Sequence, residues 1–486
     1  MPNSKQKHQS NFQTRLFALS LERSAAAPLH AQLTDHLREM IRSGTAPGGA
    51  RLPASRTLAA ELSVSRITVQ TAFDQLLAEG YLTTRRGAGT YVAEDLPHLA
   101  PPPLAPSRAP DLPPPFRPFQ PGVPDTGLFP WRDWARHLER AWQRPHPSLL
   151  GKGDPLGWPP LRAEIASHLS AWRGIPCRAE QVVITSGASE AFDLVFQACL
   201  HPGARVGMED PGYAPLRRIL ADRGYVTVPH RVDAAGLDPD SLDPKLDGLI
   251  ITPSRHFPTG VTLPLKRRLA LLDWASARQA PLIEDDYDGE FRYKGQPLPA
   301  MASLDRDGHV FYLGSFSKLL TTSLRLGYLV VPERWLPAIR ALFVHRNPTA
   351  SLVAQPALAE FMASGAFATH LRRMRRHYAR RQARLVAALS HIPELITVPD
   401  DPAGMHLCCS LGPALAERVS DTDLSKMGAA QGLSLRALSS HSVLPEPPQG
   451  LVLGYAAYDE AALEQASAAL VRLLRQAQLG SAPVRT

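Results

Sequence analysis

Cysteine is scarce, with only Cys177, Cys199, Cys408 and Cys409 in 486 residues. They form no CxxC pair and lack the density of a disulfide scaffold, so they read as reduced thiols rather than as a framework or a metal site. Long apolar runs are also missing. None approaches the roughly 18 to 20 residues that cross a bilayer, and with 20% charged residues the chain reads as a soluble globular protein with no membrane partner. Behind Lys5, Lys7 and His8, the polar stretch through Ser10, Asn11 and Gln13 leaves no apolar core for a signal peptide. The cytoplasm is the expected compartment. No internal repeat is visible.

What is present points to more than one domain. A chain of 486 residues, 44% of them apolar, has room for about two to four domains. The net charge is +8, and residues 1–92 hold 11 Lys or Arg against 6 Asp or Glu, which leaves only +3 for the other 394. The basic excess therefore sits in the first fifth of the chain, as an electrostatic footprint for nucleic acid requires. Between Asp95 and Pro121 there are 11 prolines in 27 residues, including Pro101 to Pro103 and Pro113 to Pro115. Such a stretch favours a semi-rigid polyproline II spacer. The expected division is a small domain over 1–94, a linker over 95–121 and a large domain over 122–486.

In the small domain, Leu29, Leu33, Leu37 and Ile41 recur every four residues on a helix that stops at Gly44. Ser55 is placed to cap a short helix ending near Leu62, and Ser65 to cap a second one in which Val69, Ala72, Phe73, Leu76 and Leu77 form one apolar face. Two short helices so joined are a helix-turn-helix. The exposed face of the second carries Arg66, Thr68 and Gln70 in its first turns, where a recognition helix meets base edges. Short strands at Tyr81 to Thr84 and Thr90 to Val92 flank a basic tip, Arg85-Arg86-Gly87-Ala88-Gly89, suited to phosphate contact. Order and chemistry together indicate a winged helix-turn-helix that binds double-stranded DNA.

The segment Pro28 to Val92 resembles the GntR family of winged-helix regulators. The likeness rests on Leu52-Pro53-Ala54-Ser55-Arg56, Val64-Ser65-Arg66 and Glu79-Gly80-Tyr81-Leu82. It implies operator contacts by Arg56, Ser65, Arg66, Thr68, Gln70 and the wing tip, Arg85, Arg86 and Gly87. Gln70 stands where relatives carry another arginine, which is expected to alter sequence preference more than affinity.

From about Gln181, apolar runs at 182, 205, 248, 281, 310 and 327 alternate with helical stretches. Continuous rather than alternating hydrophobicity indicates βα units and a largely parallel sheet covered on both faces. Ligands of such sheets sit beyond the strand ends, and polar clusters fall there: Thr185 to Ser189, Asp210 to Tyr213, Thr252 to Gly260, Glu284 to Tyr287, and Gly314 to Lys318. A lysine beside phosphate donors suits a Schiff base with an aldehyde, and a carboxylate at another strand end can hold a pyridinium nitrogen protonated. Those are the requirements of pyridoxal 5′-phosphate.

This part, Phe119 to about Leu474, is similar to the fold-type-I, class I aminotransferases, and the two domains in this order resemble the MocR/GabR subfamily of GntR regulators. The motifs are Gly153-Asp154-Pro155-Leu156-Gly157 with Leu161-Arg162, Thr185 to Ser189, Glu209 to Tyr213, Glu284 to Asp288, and Gly314 to Lys318 followed by Leu324 to Tyr328. The resemblance implies an aldimine at Lys318, Asp285 on the ring nitrogen with Asp286 as the other candidate, Tyr287 on the ring hydroxyl and Tyr213 stacked on the ring. It assigns the phosphate to Ala188, Ser189, Ser315, Ser317 and Arg325, and it implies a homodimer. Three departures stand out. Arg255 and His256 occupy positions where the family has histidine and glutamine. Lys152 replaces a tyrosine that reaches the partner's phosphate. Val452 replaces the arginine that clamps an α-carboxylate. A regulator sensing a vitamer or amino compound, an aminotransferase with an accessory DNA-binding module, and a DNA-binding protein with a mere dimerisation scaffold are the three readings. The first is favoured, because the aldimine set is complete while the carboxylate clamp is not.

Overall fold

The structure, a computed structural model, describes Phe12 and residues 16–25, 27–85, 88–96, 116–295, 298–346 and 350–480. Arg86, Gly87 and residues 97–115 of the proline-rich stretch lie outside the described residues. The chain divides into two compact units, Met1–Pro113 and Pro114–Thr486.

In the smaller unit, helices α1 (Leu29–Arg42), α2 (Ser55–Glu61) and α3 (Arg66–Ala78) precede strand β1 (Leu82–Arg85), which pairs antiparallel with β2 (Gly89–Val92). The stripe on α1 buries Leu33, Leu37 and Ile41 in a core shared with Leu58, Val69, Phe73, Leu76 and Val92. Each such side chain contributes roughly 1.5–3 kcal/mol of transfer free energy. Arg38 of α1 donates to both carboxylate oxygens of Glu79, at 3.0 and 2.8 Å, and so pins the end of α3. Ser65 caps α3 by accepting the Thr68 N–H at 3.1 Å. Ser55 does not cap α2. It is the first helical residue, and Ala54 at the cap position has no side chain to offer. The wing also starts one residue later than the sequence suggests, because the Tyr81 N–H is spent on the Leu76 carbonyl at the helix end.

In the larger unit, eight strands are ordered β3-β10-β9-β8-β7-β4-β5-β6: β3 (Val182–Thr185), β4 (Arg205–Asp210), β5 (Val226–Asp233), β6 (Gly236–Leu237), β7 (Gly248–Ile251), β8 (Leu282–Asp286), β9 (Val310–Ser315) and β10 (Gly327–Val330). Neighbours from β9 to β5 are parallel, whereas β10 runs antiparallel to both β3 and β9. All six apolar runs of the sequence are strands of this sheet. A second, antiparallel sheet has the order β11-β12-β14-β13, with β11 (Ile396–Thr397), β12 (His406–Leu411), β13 (Arg436–Ala437) and β14 (Gly450–Gly454).

Among the helices of this unit are α4 (Pro159–Arg173), α5 (Ala188–Cys199), α6 (Phe316–Leu319), α7 (Ala366–Leu389) and α8 (Glu460–Leu479). Leu371, Met374, Tyr378 and Leu385 of α7 share the main core with Leu463, Leu470 and Leu474 of α8. Phe119, which the proline count places in the spacer, is fully buried in this unit, and its carbonyl accepts the Gly454 N–H at 2.8 Å. Among the described residues no helix is long and apolar enough to cross a membrane.

Replacing Ser65 by alanine removes the cap of α3 and is expected to cost about 1 kcal/mol. Hydrogen exchange of amides in Arg66–Ala78 should accelerate accordingly, while amides of α7 in the other unit stay unchanged.

Candidate functional site

Beyond the strand ends of the large sheet lies a cavity of about 290 Å³. Lys318, Asp285, Tyr287, Tyr213, Ala188 and Ser315 all line it, together with Gly122, Phe257, His406 and Arg436. Lys318 sits on α6, one turn past the end of β9, and its ammonium donates to the Gly122 carbonyl at 2.7 Å. Gly122 has φ 74°, and a Cβ there would stand 2.9 Å from the Lys318 Nζ, so a side chain would close the approach. Burial lowers the Lys318 pKa, against the pull of Asp288 and Asp285.

The adjacent carboxylates part company. Side chains alternate across a strand, and Glu284 accepts the Met301 and Ala302 N–H groups at 3.0 and 2.8 Å. Asp286 accepts from the Tyr312 hydroxyl at 2.7 Å and pairs with Arg173 of α4 at 2.6 Å. Asp285 lines the cavity and has no hydrogen-bond partner among the described residues. Burial, reinforced by Asp286 and opposed by Lys318, pushes its carboxyl up to about 7. An unpartnered carboxyl facing a lysine across a cavity suits a cationic ring nitrogen.

Of the remaining expected contacts, Ala188, Ser315 and Tyr213 line the cavity, whereas Ser189, Ser317 and Arg325 do not. Ala188 opens α5, and the N-terminal end of a helix favours an anion. Ser315 Oγ accepts the Ser317 N–H at 3.2 Å. Ser189 is exposed and Ser317 half-buried, and neither lines the cavity. Arg325 is exposed, adopts a left-handed φ of 50° and has no partner among the described residues. Tyr213, 44% exposed, meets the edge of Phe257 at 5.9 Å.

Arg255 is not at the cavity surface. It is buried, and donates to Asp401 at 2.5 Å, Asp288 at 3.0 Å and the Tyr287 hydroxyl at 3.1 Å. His256 is buried too and bonds Thr259 at 2.7 Å. Lys152 lines a separate groove with Asp154, Arg346 and Leu352. Val452 is fully buried with Cys408 and Leu438. Directly across from it on β13 stands Arg436, exposed and lining the cavity, a residue that sequence reasoning missed because only the strand register reveals it.

On the smaller unit, Arg56, Arg66 and Gln70 are exposed, and Gln70 donates to Asp74 at 3.2 Å. The Thr68 and Ser65 hydroxyls lie 2.8 Å apart. Arg85 pairs with Glu94 at 3.1 Å and lies over the Tyr91 ring at 4.6 Å. Ile67, 77% exposed on the first turn of α3, was passed over in the sequence although an apolar contact there suits a thymine methyl.

Residues 29–92 match the model for bacterial regulatory proteins of the gntR family, and residues 122–470 match that for aminotransferase class I and II. The chain is 37% identical over 465 residues to the probable rhizopine catabolism regulatory protein MocR of Rhizobium meliloti, covering 91% of this chain and 92% of that protein. The chain belongs to the MocR-type subfamily of GntR regulators. A second relative of this MocR-type regulator is the HTH-type pyridoxine biosynthesis transcriptional regulator PdxR of Corynebacterium glutamicum, 36% identical over 88% of this chain and 92% of the relative. The larger unit is similar to the α-aminoadipate aminotransferase LysN of Thermus thermophilus, solved with N-(5′-phosphopyridoxyl)-L-leucine. The TM-score is 0.67 at 26% identity, over 75% of this chain and 93% of that one. A kynurenine aminotransferase of Pyrococcus horikoshii shares the fold at 23% identity with TM-score 0.66, over 74% of this chain and 90% of the other. The larger unit therefore has the fold-type-I aminotransferase architecture.

Asp285 of this MocR-type regulator is harder to ionise folded than unfolded. The folded state then binds the extra proton between about pH 4, the unfolded value, and about 7. Stability from this group is full below that window and falls as pH rises through it. Asp285→Asn should flatten the decline in ligand-free protein, by no more than about 4 kcal/mol, as read by denaturant titrations at pH 5 and 8.

Proposed function

We propose that this protein is a sequence-specific DNA-binding regulator whose larger unit carries pyridoxal 5′-phosphate on Lys318 and senses a vitamer or an amino compound in the cytoplasm. The observation that supports this most is the unpartnered Asp285 facing Lys318 across one cavity, with an aromatic wall at Tyr213. When bound, the cofactor supplies an aldehyde that condenses with amines and a ring nitrogen that accepts a proton.

The chain's own residues then have separate tasks. Burial keeps a larger share of Lys318 in its nucleophilic neutral form. Asp285 holds the proton on the ring nitrogen, and Tyr287, itself oriented by Arg255, donates to the ring hydroxyl. Ala188, Ser189, Ser315, Ser317 and Arg325 hold the phosphate. Arg436 offers the one unpaired guanidinium of the described cavity lining to an anionic end of the effector. On the smaller unit, Arg56, Ser65, Arg66, Thr68 and Gln70 face the operator, and Arg85, Arg86 and Gly87 carry the wing to its backbone. The protein acts as a homodimer in which Lys152 serves the partner's phosphate.

Lys318→Ala is expected to abolish the visible absorbance of the bound cofactor and its effect on operator affinity while leaving basal DNA binding intact. Transamination should be slow in the wild type, because Val452 cannot donate to a substrate carboxylate. Turnover of about 1 per second or more, with operator affinity indifferent to the cofactor, would favour an aminotransferase with an accessory DNA-binding unit. Separately, Arg66→Ala should reduce discrimination between the operator and a scrambled duplex by about 1–3 kcal/mol. Equal discrimination by variant and wild type in fluorescence anisotropy would remove Arg66 from base recognition.

A further inference from the structure

Helix α7 carries seven arginines and no carboxylate. Four of them are engaged within the larger unit. Arg381 pairs with Asp125 at 2.6 Å, Arg380 and Arg384 meet Glu460 at 3.3 and 2.6 Å, and Arg373 donates to the Leu128 carbonyl. The other three, Arg372, Arg375 and Arg376, line an open groove of about 410 Å³ with Arg292, Tyr293 and Thr369. No ion pair joins any of these four arginines to a carboxylate among the described residues.

The cluster is built rather than loose. Positions 372, 375 and 376 are spaced i, i+3 and i+4, so their side chains leave one helix face about 5–6 Å apart. Arg375 lies over the Trp172 ring at 4.3 Å, and Arg372 donates to the Thr369 hydroxyl at 2.9 Å. Nε of Arg292 and Nε of Arg375 are buried without a hydrogen-bond partner. Arginine cannot relieve such crowding by losing its proton. A site of this kind is completed by an anion.

We propose that this groove binds the phosphate backbone of duplex DNA, as a contact surface additional to that of the winged unit. An open groove with several guanidiniums in a row fits an extended polyanion, and the guanidinium fork matches phosphate oxygens two at a time. Contacts confined to phosphate oxygens carry no base code, so this groove contributes affinity without sequence preference. DNA is the polyanion that a chain with a gntR-type domain meets. The inference rests on that DNA-binding reading.

The test uses the full-length protein and an Arg372→Gln/Arg376→Gln double variant, both side chains being exposed, on a mixed-sequence duplex of about 60 base pairs. Each phosphate contact contributes about 0.9 to the slope of log affinity against log salt, so losing two should shrink the affinity change between about 50 and 200 mM salt by about 12-fold. Thermal unfolding of the two proteins should coincide. An unchanged slope in the double variant, with wild-type binding intact, overturns the groove and leaves the winged unit's role standing. Absence of salt-sensitive binding by the wild type overturns both. Calorimetric binding of inorganic phosphate that is lost in the variant, with the duplex slope unchanged, would make the groove a small-anion site and overturn the proposal.

Discussion

The guanidinium of Arg255 is the point on which the cavity wall depends. It is buried, and its acceptors come from separate parts of the chain: Asp288 and Tyr287 just past β8, Asp401 before β12, and the His406 carbonyl on β12 itself, at 2.6 Å. One side chain therefore ties the large sheet to the antiparallel one and sets the tilt of Tyr287. Two carboxylates compensate its desolvation. Breaking such a buried pair costs about 3–5 kcal/mol, because the partner is left charged and dry. Burial pushes Asp288 up to about 7 even with the arginine beside it. Gly404, at φ 92°, lets the backbone pass against this guanidinium, where any Cβ would collide with it.

The same logic sorts the acidic run at the end of β8. Glu284 and Asp286 point to the side where Arg173, Tyr312 and two backbone N–H groups await them, while Asp285 takes the pleat that faces Lys318. Sequence alone leaves Asp285 and Asp286 as rivals for one role. The pleat separates them, since a carboxylate committed to a buried arginine is not free for a ligand.

Much of the fold was legible because its signals are local. The six continuous apolar runs became strands, and the stripe on α1 and the cap at Ser65 appear where the spacing puts them. What escaped was set by tertiary context. Strand β5 is mostly half-exposed and contains Pro229, so it lacks the burial signature of its neighbours. The strands of the second sheet at 396–397 and 436–437 are two residues long, too short for any periodicity. Lys318 and Asp285 could be named from motif, yet the free carboxyl, the role of Arg255 and the presence of Arg436 at the rim depend on residues far apart in the chain.

The exchange of cation position between β14 and β13 bears on what the cavity can do. Residues paired across antiparallel strands project to the same face about 4.5–5.5 Å apart, so Arg436 leaves the sheet beside Val452. Val452 itself, packed on Cys408 and Leu438, keeps its position dry. A guanidinium in that dry position would hold a carboxylate rigidly through strong, desolvated hydrogen bonds. On the exposed rim the same group works in water, where an ion pair contributes only about 0–1 kcal/mol and its long side chain stays adjustable. Turnover at an α-carbon needs the substrate held in one orientation, which a rim contact does not supply. Reversible occupancy by an amino compound needs only that the contact exist, and a regulator has to release its effector when the concentration falls.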